Sequence, residues 1–243
     1  ALPSFNKYSA NVQGLLGGIA LGDKSSGGYI YVDGNASGIN SGNNFLHALN
    51  SLHEAIIKVE NCPDLDTIII AKGTYHPTLD FGDNSPSDGT NVTYRINSEI
   101  MLFGGFEGLD GLGEINDFTA RNLTTNVTYI DADVDENDGT NTFTDNVKIP
   151  VTIGSAAFNA RIDGIHIANS HGDSSFGIDA SGQCIVENCV IENCIGVTEG
   201  AGMRTNSSAN ITLKNVEFKN NSPKDILGGS GNIEIQENVD LKE

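Results

Sequence analysis

Three segments in the last third of the chain repeat one pattern, and this repeat limits the fold more than any other feature. In each segment a turn residue precedes an apolar–x–apolar triplet, and an asparagine follows two positions later. The segments are Asp163–Ile167, Glu187–Ile191 and Lys214–Phe218, and the asparagines are Asn169, Asn193 and Asn220. The asparagines recur at a spacing of roughly 25 residues, which indicates one structural unit used repeatedly.

A second set of positions has nearly the same period. It comprises Gly177-Ile178, Gly202-Met203 and Asp225-Ile226. A unit of roughly 24 residues with two short apolar strands has too little apolar surface to fold alone. The units must therefore stack, and the repeat predicts a solenoid.

Composition decides which kind of solenoid. Glycine and asparagine account for 29 and 28 of the 243 residues, and both are poor in helix interiors but tolerate left-handed turns. The sequence therefore predicts an all-β fold, a right-handed parallel β-helix, with about six coils over residues 95–240. Stacking then places equivalent residues in three ladders. The expected ladders are Ile165, Cys189 and Val216; Ile167, Ile191 and Phe218; and, at one corner with amides bonding to each other, Asn169, Asn193 and Asn220.

The open end of a solenoid needs a cap, and one amphipathic helix near the N-terminus is suited to that role. The helical spacing of the apolar residues predicts a helix over 44–60, begun by Ser41 or Asn43 and ended by Pro63. The apolar stripe comprises Phe45, Leu49, Leu52, Ile56 and Val59.

The sequence divides the chain into a lead-in and one domain. Residues 1–28 are expected to be a loose lead-in, and residues 29–243 a single β-helix domain with its clearest coils over 161–240. The continuous apolar run Thr67–Ala71 predicts a strand buried on both faces.

Charge restricts the partners. The chain has 13 Lys and Arg against 32 Asp and Glu, a net charge of −19, which disfavours nucleic acid and, more weakly, anionic polysaccharides. No apolar stretch has the length of a membrane span. The four cysteines do not have the spacing of a zinc site and are expected to pack in the interior.

Four segments resemble secreted bacterial right-handed parallel β-helix proteins. They are Tyr29-Ile-Tyr-Val-Asp-Gly-Asn-Ala-Ser-Gly38, Thr67-Ile-Ile-Ile-Ala-Lys-Gly-Thr-Tyr-His-Pro77, Ile100-Met-Leu-Phe-Gly-Gly-Phe106 and Ile162-Asp-Gly-Ile-His-Ile167. The similar proteins include chlamydial polymorphic outer-membrane protein repeats, Bacteroidota surface proteins and, more distantly, polysaccharide lyases and pectinases. The resemblance implies the fold and an extracellular or cell-surface location in a bacterium. Its motifs are architectural and imply no chemistry.

One acidic segment is the best candidate for a site. Asp131, Asp133 and Asp135 alternate, and Asp138 precedes a glycine, so flexible carboxylates could offer the hard oxygen ligands that Ca²⁺ prefers. The segment lacks the glycine after the third acid and the glutamate at the twelfth position of an EF-hand. A solvated acidic loop without metal is the alternative interpretation.

Catalytic residues are harder to find. Polysaccharide lyases of this fold use a basic residue and often calcium, and the available cations are Arg161, Arg204, Lys214, Lys219 and His166. In the row of His166 the repeat alignment places Val190 and Glu217, which gives no cluster of carboxylates around a cation, and Asp163 has no aspartate at the aligned positions 187 and 214. We therefore expect a non-catalytic extracellular protein for surface adhesion or carbohydrate binding, with possible partners among polysaccharides and surface glycans. A calcium-assisted lyase or glycosidase and a structural fragment of a larger surface protein remain alternatives.

Overall fold

Three parallel β-sheets run along the computed structural model, which describes residues 28–80, 82, 89–108, 118, 121–140 and 142–241. Sheet A consists, in spatial order, of β1 (Gly28–Val32), β2 (Leu65–Ala71), β5 (Met101–Phe106), β8 (Ala160–Asp163), β11 (Gln183–Glu187), β14 (Asn210–Lys214) and β17 (Asn232–Glu237). Sheet B consists of β3 (Gly73–Tyr75), β6 (Thr128–Asp131), β9 (Ile165–Ala168), β12 (Val190–Glu192) and β15 (Glu217–Lys219). Sheet C consists of β4 (Tyr94–Ile96), β7 (Val151–Ile153), β10 (His171–Ala180), β13 (Ile195–Thr205) and β16 (Lys224–Gly228).

The chain visits sheets A, B and C in turn, and each strand pairs in parallel with its equivalent one coil later. This is the predicted parallel β-helix. The described strands make five complete coils, beginning with β2, β5, β8, β11 and β14, between the single strands β1 and β17.

The predicted number of coils was wrong. Only four complete coils follow residue 95, because the coil that begins at Met101 is more than twice as long as any of the three after it. This second coil carries long connections before and after β6. The predicted period of about 24 residues therefore holds only for the last three coils, which begin at Ala160, Gln183 and Asn210.

The repeated apolar positions fill the interior as predicted. Ile167, Ile191 and Phe218 are paired in sheet B, and Ile178 and Met203 are paired in sheet C. All of them belong to one buried cluster that runs from Ile30 to Phe218. Burial of such a side chain stabilises the fold by about 1.5–3 kcal/mol, so every coil contributes to a shared core.

The capping helix is shorter than predicted. Helix α1 spans Leu52–Asn61, and its N-cap is Ser51, whose hydroxyl accepts a hydrogen bond from the Glu54 amide. The predicted start, with Ser41 or Asn43 as cap, is wrong. Phe45 lies instead in a separate 3₁₀ turn, Phe45–His47, and Leu49 forms a β-bridge with Val32. The buried face of α1 packs on the first strands and joins the main core, as a cap should.

Strand β2 is buried on both faces, as its apolar run predicted. Its outer face is covered by a second apolar cluster that includes Phe45, Phe103 and Phe106. No helix among the described residues is long and apolar enough to cross a membrane. The predicted lead-in lies outside the described residues, except for Gly28 at the start of β1.

Candidate functional site

The corner after sheet B carries the asparagine ladder. Asn169, Asn193 and Asn220 all have left-handed backbones, with φ of 64°, 55° and 53°. Asn193 Nδ2 donates to Asn169 Oδ1 at 3.2 Å, and Asn220 Nδ2 donates to Asn193 Oδ1 at 3.4 Å. Asparagine suits this corner because it tolerates the left-handed conformation and offers both a donor and an acceptor.

Asp131 is the first rung of the same ladder. It ends β6, and its Oδ1 accepts from Asn169 Nδ2 at 2.9 Å and from the Asp133 amide at 3.0 Å. Burial raises the pKa of the Asp131 carboxyl, and these hydrogen bonds oppose the rise. The residue that the sequence assigned to a metal therefore fixes the start of the corner.

The acidic loop, residues 131–146, is held by its own carboxylates. Asp133 is buried, and its two oxygens accept from the amides of Asn137 and Asp138, both at 3.1 Å. Asp135 is exposed, and its amide donates to Asp145 Oδ2 at 3.0 Å. The four predicted ligands thus share one loop but have different surroundings.

Asn146 connects this loop to the ladder corner. It is 1% exposed, and its Nδ2 donates to Asp138 Oδ2 at 3.1 Å and to the Asn169 carbonyl at 2.7 Å. Within the described part of the chain, no three His, Cys, Asp or Glu side chains form a group that could hold a metal. The predicted calcium site at Asp131, Asp133, Asp135 and Asp138 stays a prediction.

A cavity of about 340 Å³ lies between the loop and the corner. Its lining comprises Asp138, Gly139 and Phe143 from the loop and Asn169, His171, Asn193 and Ile195 from the next two coils. The rings of Phe143 and His171 are stacked, with centroids 4.5 Å apart and planes 16° apart. The cavity thus combines an aromatic wall with amide and carboxylate groups.

The outer face of sheet A contains a cluster of charges that the repeat alignment failed to predict. Arg161 Nη2 lies 3.1 Å from Asp163 Oδ2 and 2.5 Å from Glu187 Oε2. Arg121 Nη2 also bonds to Asp163, at 2.8 Å. Position 187, which is aligned with Asp163, holds a glutamate rather than an aspartate, and Glu187 supplies a second carboxylate beside Arg161. Asp163 is buried, and all these contacts satisfy it as a structural ion pair.

A second amide ladder begins at this same residue. Asn188 Nδ2 donates to Asp163 Oδ1 at 3.1 Å, and Asn215 Nδ2 donates to Asn188 Oδ1 at 2.8 Å. The sequence identified Asn188 and Asn215 as turn residues but not as a ladder. The signal was present, since Asn188 and Asn215 have the same spacing as Asn193 and Asn220.

The other predicted bases are engaged as well. Arg204 forms a two-point ion pair with Asp179, at 2.9 and 2.5 Å, and this hydrogen bonding raises its pKa. Lys219 pairs with Glu217 at 2.9 Å, which also raises its pKa. Both shifts move these groups away from acting as bases.

His166 and Lys214 complete the set. Burial lowers the pKa of His166, which faces outward beside Tyr129 with ring centroids 5.0 Å apart. Lys214 lies next to Glu187 in the strand register of sheet A. Of the five cations, His166 and Lys219 interact electrostatically, and the other three lie on separate rows.

A comparison with models of known protein families finds no match. Searches of curated proteins and of solved structures likewise find no match for this chain.

Proposed function

We propose that this protein is a non-catalytic extracellular or cell-surface β-helix that binds carbohydrate in the cavity between the acidic loop and the asparagine corner. The observation that carries the proposal is the pairing of the stacked Phe143 and His171 rings with polar groups in one cavity. An apolar ring face with convergent hydrogen-bonding groups is the usual composition of a small-ligand site.

The cavity volume favours a small ligand. About 340 Å³ lies near the lower end of the range for ligand pockets, roughly 300–1,000 Å³, and suits one or two sugar rings. Asp138 lies on the loop side of the cavity, and the half-buried Asn193 amide lies on the side of the corner. The net charge of −19 favours a neutral sugar over a uronate.

The secreted bacterial β-helix family is part of this proposal. Its support is the resemblance of the Gly73-Thr-Tyr75 and Gly104-Gly-Phe106 elements, which form β3 and the end of β5. Adhesion to a surface glycan is the role that such a location and such a cavity would serve together.

Binding of a panel of neutral and uronate polysaccharides tests the proposal. We expect one neutral polymer to retard the protein in affinity electrophoresis, and Phe143→Ala to weaken this binding at least tenfold. Phe158→Ala is the matched control, because Phe158 is 51% exposed and lies outside the cavity lining. Equal binding by both variants would refute the assignment of the cavity.

The lyase alternative is tested on the same panel. Elimination at a uronate produces an unsaturated sugar, so ultraviolet absorbance rises with cleavage. We expect no rise with or without calcium. A calcium-dependent rise on one uronate polymer would contradict the non-catalytic proposal.

A further inference from the structure

We infer that the acidic loop binds one calcium ion through the side-chain oxygens Asp138 Oδ1 and Asn146 Oδ1. This inference does not depend on the proposed sugar, since the ion can be titrated alone. It also differs from the set of ligands that the alternating aspartates predicted, because Asp135 has no part in it and Asn146 enters.

Two oxygens with no hydrogen-bond partner carry the inference. Asp138 Oδ1 and Asn146 Oδ1 are both shielded from solvent, and neither accepts a hydrogen bond. Buried acceptors are normally satisfied, and those that are not need an explanation such as an ion or a water. Asn146 is the clearer of the two, because the whole residue is 1% exposed.

The two oxygens belong to side chains that touch each other. Asn146 Nδ2 donates to Asp138 Oδ2, so the remaining oxygen of each group lies within the same part of the loop. The second hydrogen bond of Asn146, to the Asn169 carbonyl, holds its amide against the rigid corner. The pair is therefore positioned by the fold before any ion binds.

Negative charge at this place is concentrated. Asp138 interacts electrostatically with Asp131, Asp133 and Asp145, and burial together with these neighbours raises the pKa of its carboxyl. Among the ion pairs of the described residues, none involves any of these four aspartates. A bound cation would offset the repulsion among these carboxylates.

The type of ligand atom favours calcium over other metals. The available atoms are carboxylate and amide oxygens, which suit Ca²⁺, whereas zinc prefers cysteine and histidine. Asp131 and Asp133 already accept amide hydrogen bonds, so they contribute charge rather than ligand atoms. With only two protein side-chain ligands, we expect weak binding, with a dissociation constant no lower than that of extracellular modules, roughly 10⁻⁴–10⁻³ M.

Calcium titration of the whole chain, followed by calorimetry and by thermal unfolding, tests the inference. Ionic strength is matched with NaCl, and MgCl₂ is titrated separately. We expect one site per chain and a rise in Tm with Ca²⁺ that NaCl does not reproduce. Asp138→Asn should weaken binding at least tenfold, and Asp135→Asn, its matched control on the exposed side of the loop, should leave binding unchanged.

A third variant keeps the test decisive if Asp138→Asn fails to fold. Asn146→Asp replaces the amide that bonds to Asp138 with a further carboxylate. We expect a lower Tm without calcium and a larger rise with calcium than in the unaltered protein. Absence of any calcium-specific rise in the unaltered protein would overturn the inference, and so would equal rises in that protein and in Asn146→Asp or Asp138→Asn.

Discussion

Substitution of Asn193 separates the two roles of a ladder residue, its side-chain hydrogen bonds and its left-handed backbone. Asn193 accepts one side-chain hydrogen bond and donates another, and its φ is 55°. Asn193→Gly removes the hydrogen bonds but keeps the backbone conformation available. Asn193→Ala removes the same hydrogen bonds and also places a Cβ-bearing residue with no local hydrogen bond in the left-handed region.

The geometry of these hydrogen bonds and the backbone conformation set the expected loss of stability in each variant. The two hydrogen bonds are 3.2 and 3.4 Å long and partly exposed, so we place each at the low end of the usual range, giving about 1 kcal/mol together. Glycine adds a cost of about 0.5–1 kcal/mol because it loses more freedom on folding. Alanine adds about 1–2 kcal/mol for the left-handed conformation. We therefore expect losses of about 1.5–2 kcal/mol for glycine and about 2–3 kcal/mol for alanine.

Urea unfolding followed by circular dichroism measures these losses. Asn210→Ala is the control, because Asn210 accepts a comparable side-chain bond, from Asn232 at 2.9 Å, but lies in β14 without a left-handed backbone. Its loss should stay below about 1 kcal/mol, the value of one exposed hydrogen bond. If alanine at 193 costs no more than glycine, or no more than alanine at 210, the reasoning about the corner is refuted.

Three further predictions follow from other parts of the fold. Ser51→Ala should lower the free energy of unfolding in urea by about 1 kcal/mol, because Ser51 caps α1. Ser41→Ala should leave it unchanged, since the buried Ser41 hydroxyl has no hydrogen-bond partner. Equal losses in the two variants would contradict the cap assignment. His166 has a pKa lowered by burial, so the folded state binds fewer protons and stability should fall as pH drops below about 6.5. His166→Gln should reduce this loss of stability at low pH. A variant that loses as much stability as the unaltered protein would contradict the prediction. Cys62 is partly exposed and should react with a thiol reagent in the native protein, while the buried Cys184, Cys189 and Cys194 should react only after unfolding; rapid reaction of all four native thiols would oppose the interior placement.

The sequence could predict whatever the coils repeat. Ile167 and Ile191 recur because each coil must bury the same position, and Asn169 and Asn193 recur because each coil must turn the same corner. When one residue type recurs at one period, the recurring residues occupy equivalent positions in successive coils. The pairing of Ile167 with Ile191 in sheet B agrees with this explanation.

The parts of the fold that occur only once could not be predicted from a repeat. Phe45 and Leu49 have helical spacing with Leu52, but Phe45 packs into the outer cluster and Leu49 bridges to β1. Spacing shows that a residue is buried without showing which core buries it. The two long connections of the second coil likewise leave no periodic signal, and the number of coils was overestimated for that reason.

The candidate site shows the same limit at the level of single side chains. Asp131 has the composition of a metal ligand and acts as a rung of the ladder, because a carboxylate can accept from an amide or bind an ion equally well. Phe143 and His171 meet only because the acidic loop folds back over the next coil. No pattern in the sequence relates a residue of that loop to a residue of the corner.

The cavity has walls of two different kinds, and only one of them is tied to the stacking of the coils. One wall belongs to the short coils that begin with β8 and β11, where any insertion would displace the paired strands on both sides. The other wall belongs to a connection of the long second coil, which leaves the solenoid at β6 and rejoins it at β7. Changes in that connection alter the cavity without altering the register of the sheets. The shape of the cavity can therefore vary through the acidic loop while the asparagine corner, which the stacking of coils requires, stays the same.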